Sequence, residues 1–213
     1  MIRLLRLAFF ACIVRPLVLV VLGLHVRDRE RLPSGGPAII VANHNSHLDT
    51  LTLMSLFPLR LLPKLRPVAA RDYFLKSRAL EWFALQIIGI LPLDRTVASR
   101  ARHPLADCEA ALADGAILIL FPEGTRGVPE ALAEFKRGIA HLARACPEVP
   151  VTPVFMHGLG KALPKGSTLL VPFNCDVFVG EPFRWAGSID GFMDVLEERM
   201  KAMAGEARFP PWE

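Results

Sequence analysis

Six polar residues, Asn43, His44, Asn45, Ser46, His47 and Asp49, follow directly on the apolar run Ala38 to Ala42. A histidine with an aspartate close by supplies the parts of a general base. The carboxylate fixes the imidazole tautomer and stabilises imidazolium, so the other ring nitrogen can take a proton from a hydroxyl. Asp49 also completes an S-x-x-D pair with Ser46, the mark of a capped helix start, and the spacing alone fits a carboxylate that only caps. His44, His47 and Asp49 further read as H-x-x-H-x-D, a donor set that would suit a metal-dependent hydrolase, but no fourth donor stands at a metal-ligand spacing. No G-x-S-x-G nucleophile elbow occurs.

A second cluster, Phe121 to Gly127 (FPEGTRG), begins where the apolar run Ala116 to Phe121 ends. Gly124 permits close backbone approach, Thr125 offers a hydroxyl, and Arg126 a planar fork suited to phosphate. The alternative is a turn in which Glu123 and Arg126 pair with each other. Downstream, Lys136 and Arg137 stand at a helix start, where cations oppose the helix dipole. That placement fits a nearby anion, or a plain solvated turn.

The elements that would hold these clusters alternate. Ala38 to Ala42 is bounded by Ser34-Gly35-Gly36-Pro37 and reads as a buried strand, followed by a helix from about Leu48. Val68 to Ala70, Ile90 to Leu93, Ala116 to Phe121, Val151 to Met156 and Leu169 to Val179 have strand character, with Pro153 and Pro172 restricting the last two to irregular or edge positions. Tyr73 to Ile88, His103 to Ala113, Phe135 to Cys146 and Ile189 to Ala204 have helical periodicity. This alternation implies an α/β fold, a layered mixed β-sheet flanked by helices.

At 213 residues the chain suits one domain plus an appendage. Its hydrophobic fraction of 52% and mean hydropathy of +0.36 are high for a soluble enzyme, which implies contact with lipid. Residues 1–28 hold two apolar runs, Leu7 to Val14 and Leu17 to Leu24, split by Arg15-Pro16 and flanked by arginines on both sides. A charge and a helix breaker argue against a spanning helix and for a helical hairpin or an interfacial anchor on an anionic membrane face. No small-x-small cleavage site follows, against a signal peptide. Arg60, Lys64, Arg66, Arg71, Lys76 and Arg78 face the single acid Asp72, a patch that would attract anionic head groups, phosphates or an acidic carrier protein, or else form a solvated face. Cys12, Cys108, Cys146 and Cys175 show no metal-ligand spacing and read as reduced core residues.

The two clusters, in this order and about 75 residues apart, resemble the glycerolipid acyltransferase family that includes the lysophosphatidate acyltransferases. Asn43, His44 and Asp49 match its Asn-His-x4-Asp block, and Phe121 to Arg126 match Phe-Pro-Glu-Gly-Thr-Arg without a gap. Phe135, Lys136 and Gly138 match Phe-Lys-x-Gly, and Pro153 the proline of a hydrophobic strand. Gly89 to Arg95 align with the remaining block, with Pro92 where an aromatic or branched residue is usual.

The resemblance implies an acyltransferase domain over residues 29–213 behind the anchoring segment 1–28. It makes His44 the base, oriented by Asp49, and assigns Arg95, Glu123, Gly124, Thr125, Arg126 and Lys136 to substrate binding. The implied reaction moves an acyl group from acyl-CoA or acyl carrier protein to the hydroxyl of lysophosphatidate, with no metal or cofactor and no nucleic acid partner. It implies a location at the cytoplasmic face of a membrane, the inner one in a bacterium. A different lysolipid acceptor is the principal alternative, and a non-catalytic membrane-binding protein of the same fold a more distant one.

Overall fold

The computed structural model describes residues 1–71, 77–93, 103–125, 132–163, 171 and 173–206. Seven strands, β1 (Leu24–Arg27), β2 (Ala38–Ala42), β3 (Leu65–Ala70), β4 (Leu91–Leu93), β5 (Ile117–Leu120), β6 (Val151–His157) and β7 (Cys175–Val179), form one sheet in the order β1-β7-β6-β2-β5-β3-β4. All pairs are parallel except β6 with β7. The expected mixed sheet is therefore present. β2 is flanked by β5 and β6, with Val41 level with both Leu120 and Pro153. All five of its residues are fully buried, as the continuous apolar run AIIVA requires of a strand covered on both faces.

Helices cover both faces. On one lie the N-terminal helix, α2 (Leu48–Ser55) and the π-helical turns Phe83–Ile88 that continue the unburied α3 (Arg78–Trp82), packed on Ile40, Ala42, Ile117 and Ile119. On the other, α4 (Ala106–Ala113), α5 (Gly138–Ala145) and α7 (Ile189–Glu206) pack on Ile39, Val41 and Leu118. The alternation of side chains along β2 and β5 assigns the two faces. A short α6 (Leu159–Ala162) follows β6.

The N-terminal segment departs from the hairpin expectation. α1 (Ile2–Phe9) runs on through π turns at Phe10–Val14 and Leu17–Val21 as a single 20-residue helix, Ile2–Val21. The wider π turns open the ladder where Pro16 has no N–H to give, so the proline is absorbed rather than breaking the rod. Its mean hydropathy of 2.3 and its length suffice to cross a membrane. One stripe, Phe10, Val14, Val18 and Leu22, is wholly buried in the main core, while Leu4, Ile13, Leu19 and Val20 on the other side are exposed.

Several boundaries shift for local reasons. β3 starts at Leu65 because Leu65 and Pro67 already align with Ile117 and Ile119. α4 starts at Ala106 because His103 precedes Pro104, and pre-proline residues avoid helical angles. α5 starts at Gly138 because the Lys136 N–H donates instead to the Pro122 carbonyl at 2.9 Å. Of the expected Tyr73–Ile88 helix, residues 73–76 lie outside the described residues, as does Pro172. Pro153 is not at an edge: it sits inside β6, an interior strand. It is tolerated because the β6–β7 ladder begins one residue later, at Val154 opposite Val179, and the Pro153 carbonyl still accepts from Gly180 N–H at 2.9 Å.

Candidate active site

Because β2 and β5 are parallel neighbours, the loops leaving their C-terminal ends lie side by side, the usual place for a ligand crevice in such sheets. The first loop is Asn43 to His47. Asn43, fully buried, locks it to β6: its side-chain amide donates to the Met156 carbonyl at 2.8 Å and its Oδ1 accepts from the Met156 N–H at 2.7 Å. Ser46 Oγ donates to the Leu163 carbonyl at 3.1 Å and accepts from Leu48 N–H.

Asp49, at zero exposure in the first turn of α2, places Oδ2 2.9 Å from His44 Nδ1, 2.6 Å from Asn45 N and 2.8 Å from Ser46 N. One oxygen accepts all three bonds. The same oxygen thus serves the loop backbone ahead of α2 and the imidazole at once. An ionised carboxylate can only accept, so His44 Nδ1 carries the proton and the Nε2 lone pair remains able to accept. The imidazole is about one-fifth exposed and lies parallel to the Phe121 ring, 4.2 Å between centroids with 23° between planes.

The second loop is Phe121 to Thr125. Glu123, only 5% exposed, turns inward, and its Oε1 accepts from the His44 backbone N–H at 3.3 Å, with the Ala133 N–H as a second donor. Burial pushes its carboxyl up to about 7, against the downward pull of His44 and the Ala133 N–H. Glu123 therefore fastens the two loops together behind the His44–Asp49 pair. Gly124 takes φ 72°, left-handed backbone natural to glycine, and the Lys136 ammonium lies over it: a Cβ there would meet Nζ at 2.7 Å. Lys136 is exposed, as is Thr125. Arg137, its neighbour, pairs instead with Asp190 of α7 at 2.7 Å, so of the two cations only Lys136 turns toward the loop.

The structure thus brings His44, Asp49, Glu123, Gly124 and Lys136 together on adjacent loops. Arg95 and Arg126 lie outside the described residues, and so does any Glu123–Arg126 pair. His47 is exposed beyond the turn. No three His, Cys, Asp or Glu side chains among the described residues converge as a metal site. Sequence reasoning did not single out Phe121 as a partner of His44. Its position at the end of the most apolar strand was the available signal, but the stack exists only through the pairing of β2 with β5.

The fold has a close relative among solved structures, the 1-acyl-sn-glycerophosphate acyltransferase PlsC from Thermotoga maritima, with a TM-score of 0.75 at 22% identity over 98% of this chain and 81% of that one. In sequence the chain is 33% identical over 161 residues to a chloroplastic 1-acyl-sn-glycerol-3-phosphate acyltransferase of Arabidopsis thaliana, covering 75% of this chain and 43% of that protein. It is 28% identical over 177 residues to the human 1-acyl-sn-glycerol-3-phosphate acyltransferase alpha, covering 83% and 60%. The chain therefore spans about half the length of these curated relatives. A family model described as Acyltransferase matches residues 23–157, a span that runs from β1 through both site loops to the end of β6, and the chain belongs to that Acyltransferase family.

Proposed function

We propose that this protein transfers an acyl group from a thioester donor, acyl-CoA or acyl carrier protein, to the free hydroxyl of lysophosphatidate, giving phosphatidate. The observation that carries the reading is the 2.9 Å His44–Asp49 bond on the loop that leaves β2, beside the loop that leaves β5. The names of the relatives from Arabidopsis thaliana and human supply the acceptor.

In this mechanism His44 Nε2 removes the proton of the acceptor hydroxyl, while Nδ1–H stays on Asp49. The alkoxide attacks the thioester carbonyl, the C–S bond breaks, and the departing thiolate recovers the proton from His44. No covalent enzyme intermediate is needed. Asp49, held by two backbone N–H groups besides the imidazole, keeps the ring oriented without reorganisation. Lys136, with Arg95 and Arg126, holds the acceptor's phosphate so that its hydroxyl lies beside His44. Residues 1–28 bring the site to the bilayer at its cytoplasmic face, with Leu24–Arg27 doubling as the sheet's edge strand.

The test is transfer of labelled acyl groups from each donor to lysophosphatidate by wild type and His44→Ala at equal protein level. Loss of product in the variant by at least about a thousandfold supports the reading. Equal product from both sinks the base, and no product from wild type sinks the acceptor. A panel of other lysolipids then identifies which acceptor replaces it.

A further inference from the structure

Two arginines from separate elements end on consecutive carbonyls. Arg15, in the middle of the N-terminal helix, donates to the Phe57 carbonyl at 2.7 Å, and Arg29, after β1, donates to the Leu56 carbonyl at 2.7 Å. Both carbonyls lie just past the C-terminus of α2, where the helix dipole favours cations. That capping uses one N–H from each guanidinium and leaves most of its five donors over. The two heads line a hollow of about 380 Å³, whose walls are otherwise Leu19, Leu24, Val26 and the end of α2. Arg29 also borders an adjoining hollow of about 190 Å³, which Arg60 lines. Among the described residues, no carboxylate lines either one. Three cations thus line two neighbouring concavities that share Arg29 and Leu56, beside the exposed apolar side chains Leu19 and Val20.

An oriented pair of guanidiniums suits a phosphate, and the leucine and valine walls suit a hydrocarbon chain. We propose that this hollow is a second lipid site, which seats the phosphate of an anionic membrane phospholipid between Arg15 and Arg29 with its acyl chain along Leu19, Leu24 and Val26. It is separate from the His44 site: α2 lies between the two, with Asp49 in its first turn and the arginine-bound carbonyls past its last. The site rests on the reading of residues 1–28 as facing a bilayer and is independent of the acyl-transfer chemistry.

The test measures partition of the full chain onto vesicles of phosphatidylcholine alone and of phosphatidylcholine with phosphatidylglycerol. Removing the arginines would also remove the bonds to Leu56 and Phe57, so the informative variants are Leu19→Glu and Val20→Glu. Both positions are exposed, at 53% and 79%, but only Leu19 lines the hollow. Wild type should prefer the anionic vesicles by about tenfold or more. Leu19→Glu, which supplies the missing carboxylate, should abolish that preference, and Val20→Glu should keep most of it. Equal loss in both variants, or retention in Leu19→Glu, would overturn the site while leaving the bilayer reading intact. Failure of wild type to bind either vesicle would overturn that reading and the site with it. Abolition of the preference by millimolar inorganic phosphate would replace the lipid with a free anion.

Discussion

Asp49 Oδ2 serves the imidazole and the loop backbone with the same lone pairs. Asp49→Asn puts an amide N–H or a weaker acceptor where three donors converge, so it should lower kcat by about three to four orders of magnitude and cost about 1–3 kcal/mol of stability. His44→Ala should match the first effect with far less of the second, which thermal unfolding of the two variants will distinguish. Glu123 makes a prediction in pH. Its carboxyl is raised from the ordinary range to about 7, so the native state holds a proton that the unfolded chain has released. Stability from this group is full below about pH 4.5 and falls as pH rises through about 7. Glu123→Gln keeps the acceptor for His44 N–H and removes the buried charge. Its unfolding free energy relative to wild type should therefore climb by about 1–3 kcal/mol between pH 5 and pH 8. Denaturant titrations at the two pH values measure it, and a flat difference would mean the carboxyl is already ionised at pH 5. The His44–Asp49 pair was legible because its members lie five positions apart across a single loop-to-helix turn. The Glu123 and Phe121 contacts were not, since they depend on which strand lies beside β2.

Elements place what the motifs only name. β2 and β5 carry the two loops because both are continuous apolar runs, and such runs were readable as buried strands. Their adjacency was not, because the chain passes through β3 and β4 before β5 inserts between β3 and β2. The proline of β6 misled for a related reason: whether a missing N–H matters depends on the partner strand's end, which sequence does not show. The π turns that end at Gly89 give a further test. Gly89 has φ 78°, and Arg6 packs over it while donating to the Leu65 carbonyl at 3.2 Å and the Ile88 carbonyl at 2.9 Å. A Cβ at Gly89 would come within 2.6 Å of the guanidinium. Gly89→Ala should cost about 1–2 kcal/mol through backbone strain and displacement of Arg6. Amide exchange across residues 2–21 should quicken, and unchanged protection there would show that Arg6 does not pin the helix.

The N-terminal helix has one face in the core and one exposed apolar face. Its buried stripe of Phe10, Val14, Val18 and Leu22 joins the same hydrophobic cluster as Ile40 of β2 and Leu53 of α2. Deleting residues 1–22 should therefore not release a well-folded catalytic body. It strips one face of the core, and the truncated chain should aggregate or melt far below the intact protein in the same detergent, where equal melting would separate the helix from the core. Composition and charge led to the expectation that this segment meets lipid, but they gave no sign that Phe10, Val14, Val18 and Leu22 would be buried in the protein's own core. The packing also bears on the order of synthesis. The helix leaves the ribosome long before β5 and β6, whose pairing with β2 completes the face it covers. During that interval its buried stripe has no protein to rest against, so a nascent chain needs a bilayer or a chaperone over Phe10, Val14 and Val18 until β6 has emerged.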